Sequence, residues 1–341
     1  MTGNEVNFKK LDGVPRLLIE ANLKPIQGER FQPTGFPDLG AAVYDAPDGK
    51  RMILVESAQS VANRLEQTCL EGSGPSILKE LEGIPYVRVT LQGEVDTETS
   101  SLIEAHRINS PFIISNEDFK LKFKEKSGYM KGKPLNWPKI AEAFLYYDPN
   151  SLLHGAFMAN LEDGRVKVQR ALSGFIEAED VREVASGGVK NNPLDPTGKI
   201  RAENYDKNVY GNVPYHRTEY NARKIVAYFN FDLALLAGYG LKDEAKEFLI
   251  ALGLYKIQKF LGGGLRLRTA CDFVLDGQLR VTAPEDYTIP EEVDLLATIK
   301  KKISSCQDLG VFANPPITEI VTKVKVSKES EKESADKVEE S

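Results

Sequence analysis

The sequence predicts an α+β fold, and three observations predict it. Short alternating or continuous apolar runs of strand length recur along the chain. Pro47-Asp48-Gly49 and Glu162-Asp163-Gly164 carry the chemistry of hairpin turns. Two stretches, Ser57 to Glu66 and Leu241 to Leu261, repeat apolar residues at helical spacing. No internal repeat divides the chain.

Taken in order, Pro15 to Leu23 reads as a first strand through Leu17, Leu18 and Ile19. Pro25 to Gly40 is a loop, because Pro33, Gly35, Pro37 and Gly40 oppose regular structure. A hairpin turning at 47–49 returns through Met52 to Val55 and feeds a helix that stops near Gly72. Val87 to Leu91 reads as a strand and Ser101 to Arg107 as a helical start. Phe119 to Lys126 alternates Phe119, Leu121 and Phe123 with Lys120, Lys122 and Lys124, which predicts a half-exposed strand with a lysine face. Ala143 to Tyr147 and Leu152 to Ala159 also read as strands, the second turning at 162–164 into Arg165 to Gln169. Gly187 to Asn212 is loop-like. Ile225 to Phe231 is a strand, Leu241 to Leu261 a long helix ended by Gly262-Gly263-Gly264, and Leu265 onward a strand again.

At 341 residues, 41% hydrophobic and 28% charged, the chain is long enough for one large domain with insertions or for two, and it should bury a real core. Neither a leader nor a membrane span is expected, since MTGNEVNFKK lacks an apolar core and the most apolar later stretch contains Asn230 and Asp232. Three scattered cysteines and three histidines, without a CxxC pair, predict a reducing cytoplasm and no zinc site. We expect no metal and no cofactor. The net charge of −6 disfavours a protein that searches bare DNA alone. The final segment 323–341 holds five lysines and six acids, so the acidity belongs to the body. A local basic track inside an assembly remains compatible with it.

The chemically informative stretch is LVESAQSVANRLE, Leu54 to Glu66. Ala58, Val61, Ala62 and Leu65 form one buried stripe, while Ser57, Gln59, Ser60, Asn63 and Arg64 make a face of hydroxyls, amides and one guanidinium near a helix start. Such a surface suits a phosphate; it equally suits a helix that merely caps itself with Ser57. The second clue is GGGLRLR, where Gly262, Gly263 and Gly264 would let a backbone come close to a polyanion that Arg266 and Arg268 contact from one strand face. A plain helix-to-strand turn is the alternative. The third is the lysine-rich stretch 119–139, with Glu125 its single acid; its Lys120, Lys122 and Lys124 are read as contacts to DNA or to nucleic-acid backbone, or as guards on an edge strand.

RFQPTGFPDLGAA at 30–42, LVESAQSVANRLE at 54–66 and SLIEAHRINSPFI at 101–113 together resemble the backbone RAMP protein of the type I-G (formerly I-U) CRISPR surveillance complex, the Csb family. The glycine-rich GGGLRLR is similar to a late segment of many RAMP proteins. The resemblance implies a modified RNA-recognition-motif core, a ferredoxin-like antiparallel sheet with helices on one face and large insertions including a thumb-like hairpin. We expect a single domain over 1–322, in which lysine-rich 115–140 is a candidate basic insertion and irregular 160–212, by topology alone and without a matching motif, a candidate thumb; the charged tail at 323–341 matches nothing in the family and, with almost no core-forming residues, should be disordered. It implies a non-catalytic subunit whose partners are CRISPR RNA, further copies of itself in a filament, other CRISPR effector subunits and, through the guide, target DNA. In such a subunit Ser57, Gln59, Ser60, Asn63 and Arg64 would touch guide phosphates or 2′-hydroxyls, as would His106 and Arg107.

Two other readings compete. One is a RAMP-type endoribonuclease that processes CRISPR RNA, for which Glu104 and His106 would have to act as an acid–base pair; two apart, they would not share a helix face. The other is a scaffold or metabolic α+β protein that binds no nucleic acid.

Overall fold

The computed structural model describes residues 3–36, 38–200 and 211–325. Its first strand, β1 (Arg16–Pro25), buries Leu17, Ile19, Ala21 and Leu23 on one face, the period-two pattern of a sheet covered on one side. Two short pairs follow, β2 (Gly35–Phe36) with β3 (Gly40–Ala41) and β4 (Val43–Asp45) with β5 (Arg51–Glu56). Helix α1 (Ala58–Gln67) starts where Ser57 Oγ accepts the Ser60 N–H, and it buries Val61, Ala62 and Leu65.

The chain then builds a small outlying layer. Strands β6 (Tyr86–Gly93) and β7 (Thr97–Ser100) pair antiparallel, and helices α2 (Pro111–Ile114), α3 (Glu117–Ser127), α4 (Trp137–Tyr147) and α5 (Asn150–His154) follow. Strands β8 (Ala156–Phe157) and β9 (Lys167–Val168) make a short pair, after which β10 (Leu172–Glu179) rejoins the main sheet. Strands β11 (Arg182–Lys190) and β12 (Val213–Asn221) form a two-stranded hairpin, and β13 (Lys224–Asp232) returns beside β10. Helices α6 (Leu233–Gly238) and α7 (Asp243–Gly262) lead to β14 (Leu265–Arg268), β15 (Cys271–Leu275) and β16 (Arg280–Ala283). Helix α8 (Glu292–Asp308) packs on α7, and β17 (Ile317–Val324) lies parallel to β6.

The main sheet runs β14-β15-β1-β13-β10-β5-β4, with β16 also on β1, and every pairing in it is antiparallel. Helices α1 and α7 pack on it from their buried sides. Helix α7 is buried almost all round because it lies between the sheet and α8. Gly253 lets it come close: a Cβ there would stand 2.3 Å from the Phe231 ring. Among the described residues no helix is long and apolar enough to cross a membrane.

Several expected elements take another form. Phe119 to Lys126 is helix, not strand. Asn116 caps it by accepting the Phe119 N–H, Glu117 and Asp118 occupy its first turn, and Gly128 ends it in the left-handed region at φ 61°. On that helix Phe119 and Phe123, four apart, turn inward, and Leu121 is left exposed. Ala143 to Tyr147 belongs to α4, capped by Asn136; of Leu152 to Ala159, the first three residues end α5, while Ala156 and Phe157 are strand as expected and pair with Val168 and Lys167. Ser101 to Arg107 is a series of turns ending in a 3₁₀ turn at Arg107–Asn109. Gly187 and Gly188, read as loop, sit inside β11. Of the thumb segment 160–212, only the part from Arg182 belongs to the hairpin, whose return limb extends to Asn221; residues 201–210 lie outside the described residues. The tail boundary at 323 falls within β17, and 326–341 lie outside the described residues.

Candidate nucleic-acid interface

Three concavities surround α1 and the loop between β1 and β4. One of about 340 Å³ is lined by Arg64, Gln67, Lys259, Gly263, Gly264 and Arg266 among others. A second, of about 560 Å³, is lined by Gln32, Thr34, Gly35, Arg217, Tyr220 and Arg268. The third, of about 790 Å³, is lined by Gln59, His106, Arg107, His154, Phe157, Lys167 and Arg170. Among the described residues, no aspartate or glutamate lines any of the three. In a chain of net charge −6 that is a marked local bias toward an anion.

The four segments singled out in the sequence meet on this track: RFQPTGFPDLG in the second cavity, the α1 face in the first and third, His106 and Arg107 in the third, and GGGLRLR in the first and second. Gly264 occupies the positive-φ region at 76°, which ends α7 and turns the chain into β14. A Cβ at Gly262 or Gly264 would meet nothing within 4 Å, so the turn is open to an approaching ligand.

The side chains divide into two groups. Gln59, Asn63, His106 and Arg266 are exposed, Arg266 with 75% of its side chain accessible. Ser57 is engaged in capping, Ser60 donates to Glu56, and Arg64 donates its Nε to Glu56 at 3.1 Å while its guanidinium reaches the carbonyls of Arg266 and Leu267. Arg64 thereby covers the free edge of β14. Arg268 forms an ion pair with Glu56 and donates to the carbonyls of Gln32 (3.0 Å) and Val55 (3.1 Å). Arg107 is buried and grips Glu66 with two bonds of 2.6 and 2.7 Å, plus the Gly155 carbonyl at 3.0 Å. Arg266 and Arg268 therefore do not act as a matched pair: the pairing of β14 with β15 shifts register between them, and only Arg266 faces water.

Lys120, Lys122 and Lys124 line none of the three cavities. On a helix, Lys120 and Lys124 share a side that Lys122 does not. Lys120 pairs with Glu117 at 3.0 Å and Lys124 pairs with Glu162.

Sequence reasoning missed Glu56, the wholly buried carboxylate that Ser60, Arg64 and Arg268 share. Its signal was present: a lone acid ending an apolar strand one residue before a helix cap. Arg170 was missed as well; it donates to the carbonyls of Ala58 (3.1 Å) and His154 (3.3 Å) and to Gln59 Oε1 (3.1 Å), and nothing near it in sequence announces that. Behind the third cavity, Lys256 is fully buried and meets His154 Nε2 at 2.8 Å and Asn150 Oδ1. Burial pushes Lys256 down and holds His154 well below the usual imidazole value, with Lys256 adding to the latter. Asp148 nearby is pushed up to about 6 by burial.

A model of the family described as CRISPR-associated protein GSU0053 matches residues 17–183. None of the curated proteins matches the chain. Among solved structures, one titled "CRISPR RNA-guided surveillance complex, pre-nicking" is similar at 14% identity and a TM-score of 0.42, over 86% of this chain and 88% of that one. A second, "CRISPR RNA-guided surveillance complex", is similar at 12% and 0.38, over 86% and 83%. Csc2 of Thermofilum pendens is similar at 8% and 0.31, over 91% and 82%. The family match spans the first cavity-lining loop, α1 and the His106–Arg107 turn. Residues 17–183, just under half of the chain, are the part that is similar to the CRISPR-associated GSU0053 family.

Proposed function

We propose that the protein is a non-catalytic backbone subunit of a type I CRISPR effector complex, which holds the sugar-phosphate chain of CRISPR RNA along the track around α1. The observation that carries this reading is the meeting of four separate segments on three concavities without a single acid. Gln59, His106 and Arg266 are among the exposed groups that line that track, Asn63 is exposed on α1, and donors of these kinds suit phosphates and 2′-hydroxyls. A protein that must serve any guide grips the backbone and leaves the bases to pair with target DNA.

The core then reads as a modified RNA-recognition motif. Its support is the connectivity β1-α1-β10-β13-α7-β15, whose strands lie in the order β15-β1-β13-β10, the 4-1-3-2 order of a ferredoxin-like sheet. The β11–β12 hairpin lies in the chain between the adjacent strands β10 and β13 and exposes Val189 and Tyr215, which suits a thumb that reaches a neighbouring copy. Other effector subunits would join the same assembly.

Holding fits better than cutting. Glu104 accepts from Thr99 at 2.5 Å and from Ser110 at 2.8 Å, so it is engaged in the turn and does not serve His106. Expression of the chain with a CRISPR repeat-spacer transcript tests the reading: protected RNA should lengthen in steps with subunit number. Protein that purifies free of RNA and binds none at low salt would refute it.

A further inference from the structure

The third cavity differs from the other two in offering an aromatic plate. Phe157 is 52% exposed at its edge, although Ala156 and Met158 on either side are buried. Lys167 Nζ stands 6.0 Å from the Phe157 ring centroid, close enough to meet a phosphate attached to anything stacked there. The same lining includes His154, which is 1% exposed. Its Nε2 is occupied by Lys256, and its Nδ1 has no partner among the described residues. With Lys256 donating to Nε2, the ring proton belongs on Nδ1, leaving a buried donor without an acceptor. Such a donor is costly to leave unmet. The cavity thus combines a stacking surface, a cation beside it, an unmatched donor and no acid.

We propose that this cavity receives one nucleobase of the bound RNA strand, stacked on Phe157 with its phosphate near Lys167 and an acceptor on its edge facing His154. The inference rests on the RNA-binding reading and adds to it a contact to a base, not to backbone. Stacking on an aromatic ring is tolerant of base identity, so the site would anchor the strand without selecting a guide.

The test uses the full-length protein and two single-stranded RNAs of equal length, one ordinary and one in which the bases are replaced by abasic sugars. Wild-type protein should bind the ordinary RNA about 10-fold more tightly. Phe157→Ala should lose that preference while binding the abasic RNA as wild type does, and Phe157→Trp should keep it. An unchanged preference in Phe157→Ala, or an equal loss on both RNAs, overturns the base site and leaves the backbone reading standing. Failure of the wild type to bind either RNA at low salt removes both.

Discussion

Glu56 and Arg268 join β5 to β14 through an ion pair whose carboxylate is wholly buried, while the Arg268 guanidinium also donates to the carbonyls of Gln32 and Val55. Arg64 approaches the same carboxylate from α1. Removing Arg268 leaves the buried carboxylate with one cation instead of two and takes a donor from the Gln32 and Val55 carbonyls. Arg268→Ala should therefore lower stability by about 3 kcal/mol, read by urea or thermal unfolding. Arg266→Ala, on a side chain 75% accessible, should leave unfolding unchanged and flatten the salt dependence of RNA affinity by about one phosphate contact. Equal losses of stability in the two variants would contradict this division.

The Arg107–Glu66 contact makes a similar separation between neighbours. Arg107 holds both Glu66 oxygens from a residue at φ 51°, so its fork geometry is needed and a lysine cannot reproduce it. Arg107→Lys should destabilise the protein measurably, by about 1–3 kcal/mol. His106→Ala, one residue earlier and exposed, should unfold like wild type and weaken RNA binding alone. Incubated with labelled RNA and divalent metal, both wild type and His106→Ala should leave the RNA intact; time-dependent cleavage by the wild type would favour the endoribonuclease.

These pairs show what the sequence made legible. The strands β1, β5 and β13, the cap at Ser57 and helix α7 follow from period and capping chemistry, which are local. The place of α3 was misread because Phe119, Leu121 and Phe123 alternate, although Asn116, the acids at 117–118 and Gly128 already carried helix boundaries. The site residues were legible as segments but not as roles. Whether an arginine faces water or a buried carboxylate depends on which strand lies beside it, and Arg64, Arg107 and Arg268 all answer to acids that only the fold brings near.

The buried cluster behind the third cavity predicts an acid response made of two opposing parts. His154 in the folded chain titrates well below 6.5, so as pH falls through 6.5 the unfolded chain takes up the proton first and stability is lost. Asp148 titrates at about 6 when folded against 3.8 ordinarily, so between those values the folded chain takes up the proton first and stability is regained on acidification. The second part amounts to about 2–3 kcal/mol by the linkage of proton uptake to folding. Asp148→Asn removes it. The variant's unfolding free energy should fall more steeply than that of wild type between pH 6 and pH 4, and parallel curves would show that Asp148 does not titrate there.

The β11–β12 hairpin can be shortened without disturbing the sheet that carries it. Strands β10 and β13 already pair directly, Glu179 with Lys224, so the hairpin is an outgrowth between adjacent strands. Its base is fastened: Tyr220 is buried and bridges to Phe31, and Arg30 pairs with Glu219 at 3.2 Å. Beyond Ala185 and Thr218, which face each other, the limbs are mostly exposed. Replacing 187–216 by an Asn-Gly turn, which keeps the paired Ser186 and Arg217, should therefore keep the base and the fold, with an unfolding temperature close to wild type. If the hairpin reaches the next copy, the shortened protein should still bind a short RNA that holds one subunit but should no longer form the stepped ladder on a long one. A ladder that persists would move the contact between copies elsewhere on the surface.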